Sequence, residues 1–121
     1  MRGKEQPFVI EQAQLRGPKD DEVLVKVVAT GICHIDLIVR DQYYPPPPAA
    51  VIGHEGAGIV EAVGPNVRDL KVGGHVVLTY GACRHCNPCR GGHGAYCKDF
   101  FGLNFGGDDG HGHTAITDAQ G

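Results

Sequence analysis

Cysteine spacing is the feature of this sequence that most clearly indicates chemistry. Four of the five cysteines lie in one short segment, CRHCNPCRGGHGAYC (83–97), with the pattern Cys83-x2-Cys86-x2-Cys89-x7-Cys97. Four thiolates arranged as a tetrahedron are a usual ligand set for structural zinc. The segment has almost no apolar side chains to bury, and a bound ion would supply the cohesion that burial cannot. The spacing therefore predicts a structural zinc site.

Other uses of these cysteines fit the sequence less well. A redox pair at the first two cysteines needs a helix opening between them, which Pro88 and the glycines after it disfavour. Iron–sulfur clusters usually have a shorter last gap followed by proline, whereas here Lys98 follows a gap of seven. Disulfides are disfavoured in a reducing compartment. His85 and His93 lie in the segment but are not needed as ligands, and we interpret them as solvated.

The fifth cysteine and one histidine define a second region of interest. Cys33 lies in GICHID (31–36), directly after the clearest predicted strand, and His54 lies in GHEGAG (53–58). Taken alone, a cysteine after a strand is more often a small buried residue than a ligand. A single histidine is likewise more often structural. Their occurrence in one chain with the four-cysteine segment makes a metal role worth testing.

Length, charge and hydropathy limit the class of protein. A chain of 121 residues suits one domain. Its net charge is −3 and its basic residues are scattered, so the sequence does not indicate a basic surface for nucleic-acid binding. No apolar run approaches the length of a membrane span, and the first ten residues lack the apolar core of a signal peptide. We therefore expect a cytoplasmic protein with no nucleic-acid partner and no membrane association.

Short segments rich in β-branched residues alternate with glycine-rich and proline-rich turns. This pattern predicts an all-β barrel or sandwich. The proline run at 43–50 should be extended, and the glycine-rich stretch after Cys97 should be mostly loop with one strand at most. The predicted strands span residues 7–14, 22–33, 56–64 and 75–80, with a short helix over 34–41.

Four stretches of the sequence resemble one enzyme family. TGICHID, GHEGAGIVEAVG, KVGGHVVLTY and the four-cysteine segment are similar, in the family's order, to the N-terminal GroES-like catalytic domain of zinc-dependent, medium-chain alcohol dehydrogenases. LIVRDQYYP and FFGLNFGG are similar to the aryl (benzyl) alcohol dehydrogenase branch. The resemblance implies a mainly β fold, a GroES-like β-barrel with short helices and a zinc-binding loop.

The resemblance also implies roles for individual residues. Cys33 and His54 would be ligands of a catalytic zinc that keeps one open position, as alcohol dehydrogenases do. Asp36 would accept the imidazole N–H of His54 and fix its tautomer. Glu55 would lie behind the metal as a temporary ligand, and His34 would contact the pyrophosphate of the cofactor. The four-cysteine site would be purely structural.

The implied reaction is the oxidation of an alcohol to an aldehyde. In this family, hydride passes from a zinc-bound alkoxide to NAD. The resemblance thus implies zinc at two sites, NAD, and a small alcohol or aldehyde as substrate, with benzyl-type alcohols favoured by the aryl branch. It also implies a homo-oligomer for the full-length parent.

Two departures from the family pattern shape these expectations. The third catalytic ligand, usually a cysteine, and the nicotinamide-binding domain both lie beyond the matching region, while this sequence stops at Gly121. We expect residues 1–121 to be a C-terminally incomplete catalytic domain, with the nucleotide-binding domain absent, and inactive alone. Ile35 stands where the family has Thr or Ser, whose hydroxyl takes the alcohol proton, and isoleucine cannot accept a proton.

Two other functions fit parts of the sequence. One is a non-catalytic, zinc-stabilised GroES-like module for binding or assembly, which would use the cysteine segment only as a scaffold. The other is a free-standing chaperonin lid of GroES type. The lid is disfavoured because such lids do not need two sets of zinc ligands.

Overall fold

The computed structural model describes residues 2–43, 50–107 and 114–119, and in them strands outnumber short helices. No helix among these residues has the length and apolar character to cross a membrane. The elements are β1 (Ala13–Leu15), β2 (Val23–Thr30), α1 (His34–Arg40), β3 (Gly56–Val63), β4 (His75–Val77), α2 (Asn87–Arg90), a 3-10 turn (Gly94–Tyr96), α3 (Phe100–Phe105) and β5 (Ile116–Asp118).

The chain divides into two compact units. The first consists of Met1–Gln14, Cys33–Ile52 and Tyr80–Gly121, and the second of Leu15–Ile32 and Gly53–Thr79. The first unit therefore contains α1 and the whole cysteine segment. The second contains the longest strands. The prediction of a mainly β fold with short helices is confirmed, whereas closure of a barrel stays a prediction.

A three-stranded antiparallel sheet, in the order β2-β3-β4, forms the second unit. Val60 lies at its centre with 1% of its surface exposed. The backbone of Val60 bonds to both glycines of the turn before β4, accepting from Gly73 N and donating to Gly74 O, each at 2.9 Å. Gly58 lets β3 approach β2 closely, because a Cβ there would lie 2.4 Å from the carbonyl oxygen of Lys26.

Helix α1, in the first unit, begins with a capping box. The Cys33 backbone N–H donates to Asp36 Oδ2 at 2.9 Å, and the Cys33 side chain accepts hydrogen bonds from the first turn of the helix. Such reciprocal bonds satisfy amide groups that would otherwise lack partners at a helix start. Asp36 and Val39 are buried, each 5% exposed. The helix predicted over 34–41 is confirmed.

Helix α3 corrects the expectation that the stretch after Cys97 is mostly loop. Asn104 explains why a glycine-rich segment folds there: its Nδ2 donates to Phe100 O at 2.7 Å and to Gly81 O at 2.9 Å. Gly81 N donates in return to Asn104 Oδ1 at 2.7 Å. The ring of Phe100 also contacts the ring of Tyr80, with centroids 5.5 Å apart. The helix thus depends on contacts that are distant in sequence.

Three predicted strands are clearly shorter in the structure. The strand predicted over 7–14 is limited to β1, because its partner β5 is only three residues long. The strand predicted over 75–80 ends at Val77, where pairing with β3 ends. The predicted strand over 22–33 ends at Thr30, since Cys33 already caps α1. Most of the proline run predicted to be extended, residues 44–49, lies outside the described residues.

Candidate metal centre

The four cysteines of the segment converge in the first unit. Their sulfur atoms all lie within 4.8 Å of one another. Cys83 Sγ and Cys89 Sγ are 3.9 Å apart. A regular tetrahedron with Zn–S bonds of about 2.3 Å has sulfurs about 3.8 Å apart, so the spacing suits one zinc ion. Cys97 is 6% exposed and the other three are half-buried, which is typical of a closed structural site.

Short turns of the backbone bring these sulfurs together. Cys86 is the N-cap of α2, a single turn that carries Cys89, and Cys97 follows the 3-10 turn. Cys97 N donates to Gly94 O at 3.0 Å. Arg84, between the first two cysteines, has φ 64°, in the left-handed region that non-glycine residues rarely adopt. The segment therefore holds one strained residue in a stretch that buries little.

Backbone amides point at the sulfurs. Cys83 N donates to Cys97 Sγ at 3.3 Å, and Cys86 N donates to Cys83 Sγ at 3.4 Å. Hydrogen bonds to an anion favour its charged form. Four thiolates carry twice the charge that a divalent cation neutralises, and such donors offset part of the excess. The cysteine segment is thus equipped to hold anionic sulfurs.

The pKa values of two thiols differ widely without a cation. The backbone N–H groups of Lys98 and Cys89 lower the pKa of the Cys86 thiol to about 6. Burial, together with the neighbouring thiols, raises the pKa of Cys89 to about 12. The backbone donors thus favour the anionic form of Cys86, whereas burial favours the neutral form of Cys89. Metal binding must release protons here.

The residues expected to form a catalytic zinc site belong to different units. In the first unit, Cys33 Sγ accepts a hydrogen bond from Ile35 N at 3.3 Å. The Ile35 side chain is 40% exposed, and His34, the first residue of α1, is exposed as well. Asp36 fixes the backbone of Cys33 from within the helix. The cysteine is therefore held in place by α1 itself.

In the second unit, two neighbouring residues hold Glu55. The carbonyl oxygen of Glu55 accepts from Gly31 N at 2.9 Å and from Thr30 Oγ1 at 2.7 Å. A Cβ on Gly31 would lie 1.9 Å from Glu55 Oε2, so this carboxylate occupies space that only glycine leaves open. His54 Nε2 lies 3.8 Å from Glu55 Oε1. Gly53 has φ 142°, which favours glycine just before the histidine.

Four roles expected from the resemblance stay predictions. These are a zinc ion shared by Cys33 and His54, a bond from His54 to Asp36, temporary ligation by Glu55, and contact of His34 with a cofactor. Cys33, His34 and Asp36 lie in the first unit, and His54 and Glu55 in the second.

Comparison with known proteins identifies the family. The sequence profile described as the alcohol dehydrogenase GroES-like domain matches residues 19–120. The chain belongs to this family. The expected GroES-like, mainly β fold with a cysteine-rich loop is thereby confirmed.

Two solved structures of alcohol dehydrogenase type are similar to this GroES-like domain. The alcohol dehydrogenase zinc-binding domain protein from Burkholderia ambifaria is 68% identical, with a TM-score of 0.97, and the match covers 99% of this chain and 32% of that one. Benzyl alcohol dehydrogenase from Acinetobacter calcoaceticus is 60% identical, with a TM-score of 0.85, and the match covers 88% of this chain and 29% of that one.

A curated relative agrees with these structures. Geraniol dehydrogenase from Castellaniella defragrans is 48% identical over 101 residues, which are 84% of this chain and 27% of the relative. The chain spans about a quarter of the length of the curated relatives it matches. Similarity to the aryl alcohol dehydrogenase branch, expected from two sequence stretches, is confirmed by the benzyl alcohol dehydrogenase match.

Sequence reasoning missed several residues that matter for these sites. Gly31 and Thr30 lie in the TGICHID motif, yet the hydrogen bonds that they donate to the Glu55 carbonyl oxygen are visible only in the structure. Asn104 gave no signal, because an asparagine in a glycine-rich stretch is typical of a turn. His85 was interpreted as solvated; its side chain is exposed but lies in a second group of possible ligands with Cys83 and Asp99.

Proposed function

We propose that this chain is the zinc-binding and substrate-binding domain of an NAD-dependent alcohol dehydrogenase. The observation that carries the proposal is the convergence of four sulfurs at zinc-like spacing within a chain that belongs to the alcohol dehydrogenase GroES-like family. The four-cysteine site is structural. Its ligands are Cys83, Cys86, Cys89 and Cys97.

A second zinc is held, in this proposal, by Cys33 and His54 with a ligand from outside the matching region. When bound, an ion with an open position acts as a Lewis acid on the oxygen of an alcohol. The residues of this chain orient it: Asp36 fixes the backbone of Cys33 at 2.9 Å, and Gly31 with Thr30 fixes the backbone of Glu55. Each of these backbone positions is fixed within its own unit, and fixed ligand positions favour catalysis.

Aromatic alcohols are the proposed substrates, with aldehydes as products. Support comes from the benzyl alcohol dehydrogenase at 60% identity and from cinnamyl alcohol dehydrogenase of Sorghum bicolor, which is 38% identical with a TM-score of 0.70. Both names denote alcohols with an aromatic ring. NAD is proposed because another similar structure, 33% identical, is an NAD-dependent alcohol dehydrogenase.

The proposal includes inactivity of these residues alone. A dinucleotide-binding domain is built on a parallel sheet with crossover helices. The three-stranded sheet in the described part of this chain is antiparallel throughout. We therefore expect no alcohol-dependent reduction of NAD by the 121 residues, even when they are loaded with zinc.

A chimeric enzyme tests the proposal. The part of the Acinetobacter benzyl alcohol dehydrogenase that matches this chain is replaced by this chain, and NADH formation is followed with benzyl alcohol and with ethanol. We expect activity that is higher on benzyl alcohol, lost with Cys33→Ser, and kept with the surface variant Val77→Ala. A folded chimera that holds zinc at both sites but is inactive would contradict the catalytic role and favour the scaffold module.

A further inference from the structure

Cys83 belongs to two groups of possible metal ligands. One is the four-cysteine site, and the other consists of Cys83, His85 and Asp99, whose ligand atoms also lie within 4.8 Å of one another. All three residues are in the first unit. One thiol is thus common to a half-buried sulfur site and to a mixed sulfur, nitrogen and oxygen site beside it.

The imidazole of His85 is prepared for metal binding. Its Nδ1 lies 2.8 Å from the carbonyl oxygen of Cys83. A carbonyl can only accept, so Nδ1 carries a hydrogen, and in the neutral ring this tautomer leaves Nε2 as the atom that can bind a metal. Metal-binding histidines usually donate their other ring N–H in this way, which fixes the tautomer and the ring orientation.

Asp99 does not have the structural role that its position suggests. It is the N-cap residue of α3, but its side chain makes no capping hydrogen bond. A carboxylate near a thiol that becomes a thiolate is unfavourable unless a cation lies between them. Asp99 and His85 are both exposed, whereas Cys97 on the inner site is 6% exposed.

We propose that Cys83, His85 and Asp99 form a loading site, through which a zinc ion passes on its way to the four-cysteine site. A hydrated ion is captured first by the exposed imidazole, the carboxylate and the sulfur of Cys83, whose thiol loses its proton as it binds. The sulfurs of the other three cysteines then replace nitrogen and oxygen, as zinc accepts all three ligand types. Because Cys83 belongs to both sets, the ion moves without leaving the protein.

No oxidation or reduction takes place in this transfer. Each thiol that binds loses a proton to solvent or to a nearby base, and zinc remains divalent. A thiolate is able to bridge two zinc ions, but in this transfer a single ion leaves the loading site as the four-cysteine site completes its coordination. The inference therefore predicts one ion per cysteine segment at saturation. It rests on the structural zinc site proposed above.

Release kinetics give the sharpest test, because the protein begins loaded and folded. Zinc transfer from the 121-residue chain to a chromophoric chelator is followed for the unmodified chain, for His85→Ala and for Asp99→Asn. Removing a ligand from a path that release and uptake share slows both, so we expect each variant to release zinc several-fold more slowly than the unmodified chain. His93→Ala is the matched control, an exposed histidine of the same segment outside the loading site, and should leave the rate unchanged.

Three results would overturn the proposal. Release rates equal to that of the unmodified chain would show that His85 and Asp99 do not take part. A loss of bound zinc in these variants would make them permanent ligands instead of transient ones. Two ions on the segment by native mass spectrometry would show separate sites. A chain that binds no zinc at all would instead refute the structural zinc site on which the inference rests.

Discussion

The cysteine segment and the three-stranded sheet are stabilised by opposite means. In the sheet, β2 and β3 pair over their full length and Val60 is almost fully buried. In the cysteine segment, Cys97 is the only residue of 83–97 that is buried, α2 is one turn long, and Arg84 has a left-handed backbone. Burial can account for the first region but not for the second.

With the zinc site proposed above, this difference means that one small domain combines a hydrophobic core with a loop stabilised by a metal. Burying a valine contributes roughly 1.5–3 kcal/mol, whereas a structural zinc in small peptides contributes about 10–16 kcal/mol at neutral pH. In the proposed structural site, the ion would order residues 83–97 without requiring apolar side chains from them. We therefore expect the two regions to respond independently to changes in metal and in packing.

The largest effect should follow loss of a sulfur. Cys97→Ser removes the buried ligand, and we expect zinc affinity to fall by about 100-fold or more, since the remaining three thiolates leave the site open. Competition with a chromophoric chelator measures this affinity. Cys33→Ser is the matched control and should keep the ion of the cysteine segment. Equal affinities in the two variants would contradict the assignment of ligands.

A substitution in the core of the sheet should lower the stability of the fold without changing zinc binding. Val60→Ala removes two methyl groups from a site with 1% exposure, and we expect a loss of about 2–3 kcal/mol in the free energy of unfolding. Val77→Ala, at a strand position that is 80% exposed, should change it by less than about 0.5 kcal/mol. Urea unfolding gives both values, and the zinc affinity of both variants should stay unchanged.

Substitution of Gly31 should lower the stability of the fold because a larger side chain would contact Glu55. In Gly31→Ala the new Cβ meets Glu55 Oε2, the far end of a half-exposed side chain, and moving it aside should cost about 1 kcal/mol of unfolding free energy. Gly17→Ala is the matched control in the same unit, because nothing lies within 4 Å of a Cβ there. Thermal unfolding compares the two, and equal melting temperatures would show that Glu55 moves aside freely.

The smallest expected effect is on the pH dependence of stability. Arg16 donates to Glu22 Oε1 at 2.7 Å, and this bond, with the Lys19 amide, lowers the pKa of Glu22 to about 2. Because this folded-state pKa lies below the unfolded value, its stabilisation is complete above about pH 4.5 and is lost as pH falls toward 2. Glu22→Gln should make the free energy of unfolding less dependent on pH in this acid range. The pair is partly exposed, so the change should stay below about 1 kcal/mol.

The sequence predicted the elements that local patterns determine. Strands β2 and β3 follow from runs of valine and isoleucine, and α1 follows from the sequence after Cys33. The cysteine spacing predicted a convergence that the structure confirms. Each of these features depends on residues that lie close together in the sequence.

Long-range contacts explain what the sequence could not predict. Helix α3 depends on Asn104 bonding to Gly81, 23 residues away. Strand β1 is cut to three residues by a partner near the end of the described chain. The space that Gly31 leaves for Glu55 is likewise visible only once the strands are paired. Nothing local in the sequence marks such contacts.

Hydrogen exchange with and without a strong zinc chelator tests the central claim most directly. We predict that removing zinc abolishes protection of the Arg90 and Cys97 amides, which bond to Cys86 O and Gly94 O, while the Val60 amide in the sheet keeps its protection. Unchanged protection in residues 83–97 after complete zinc removal would contradict the account.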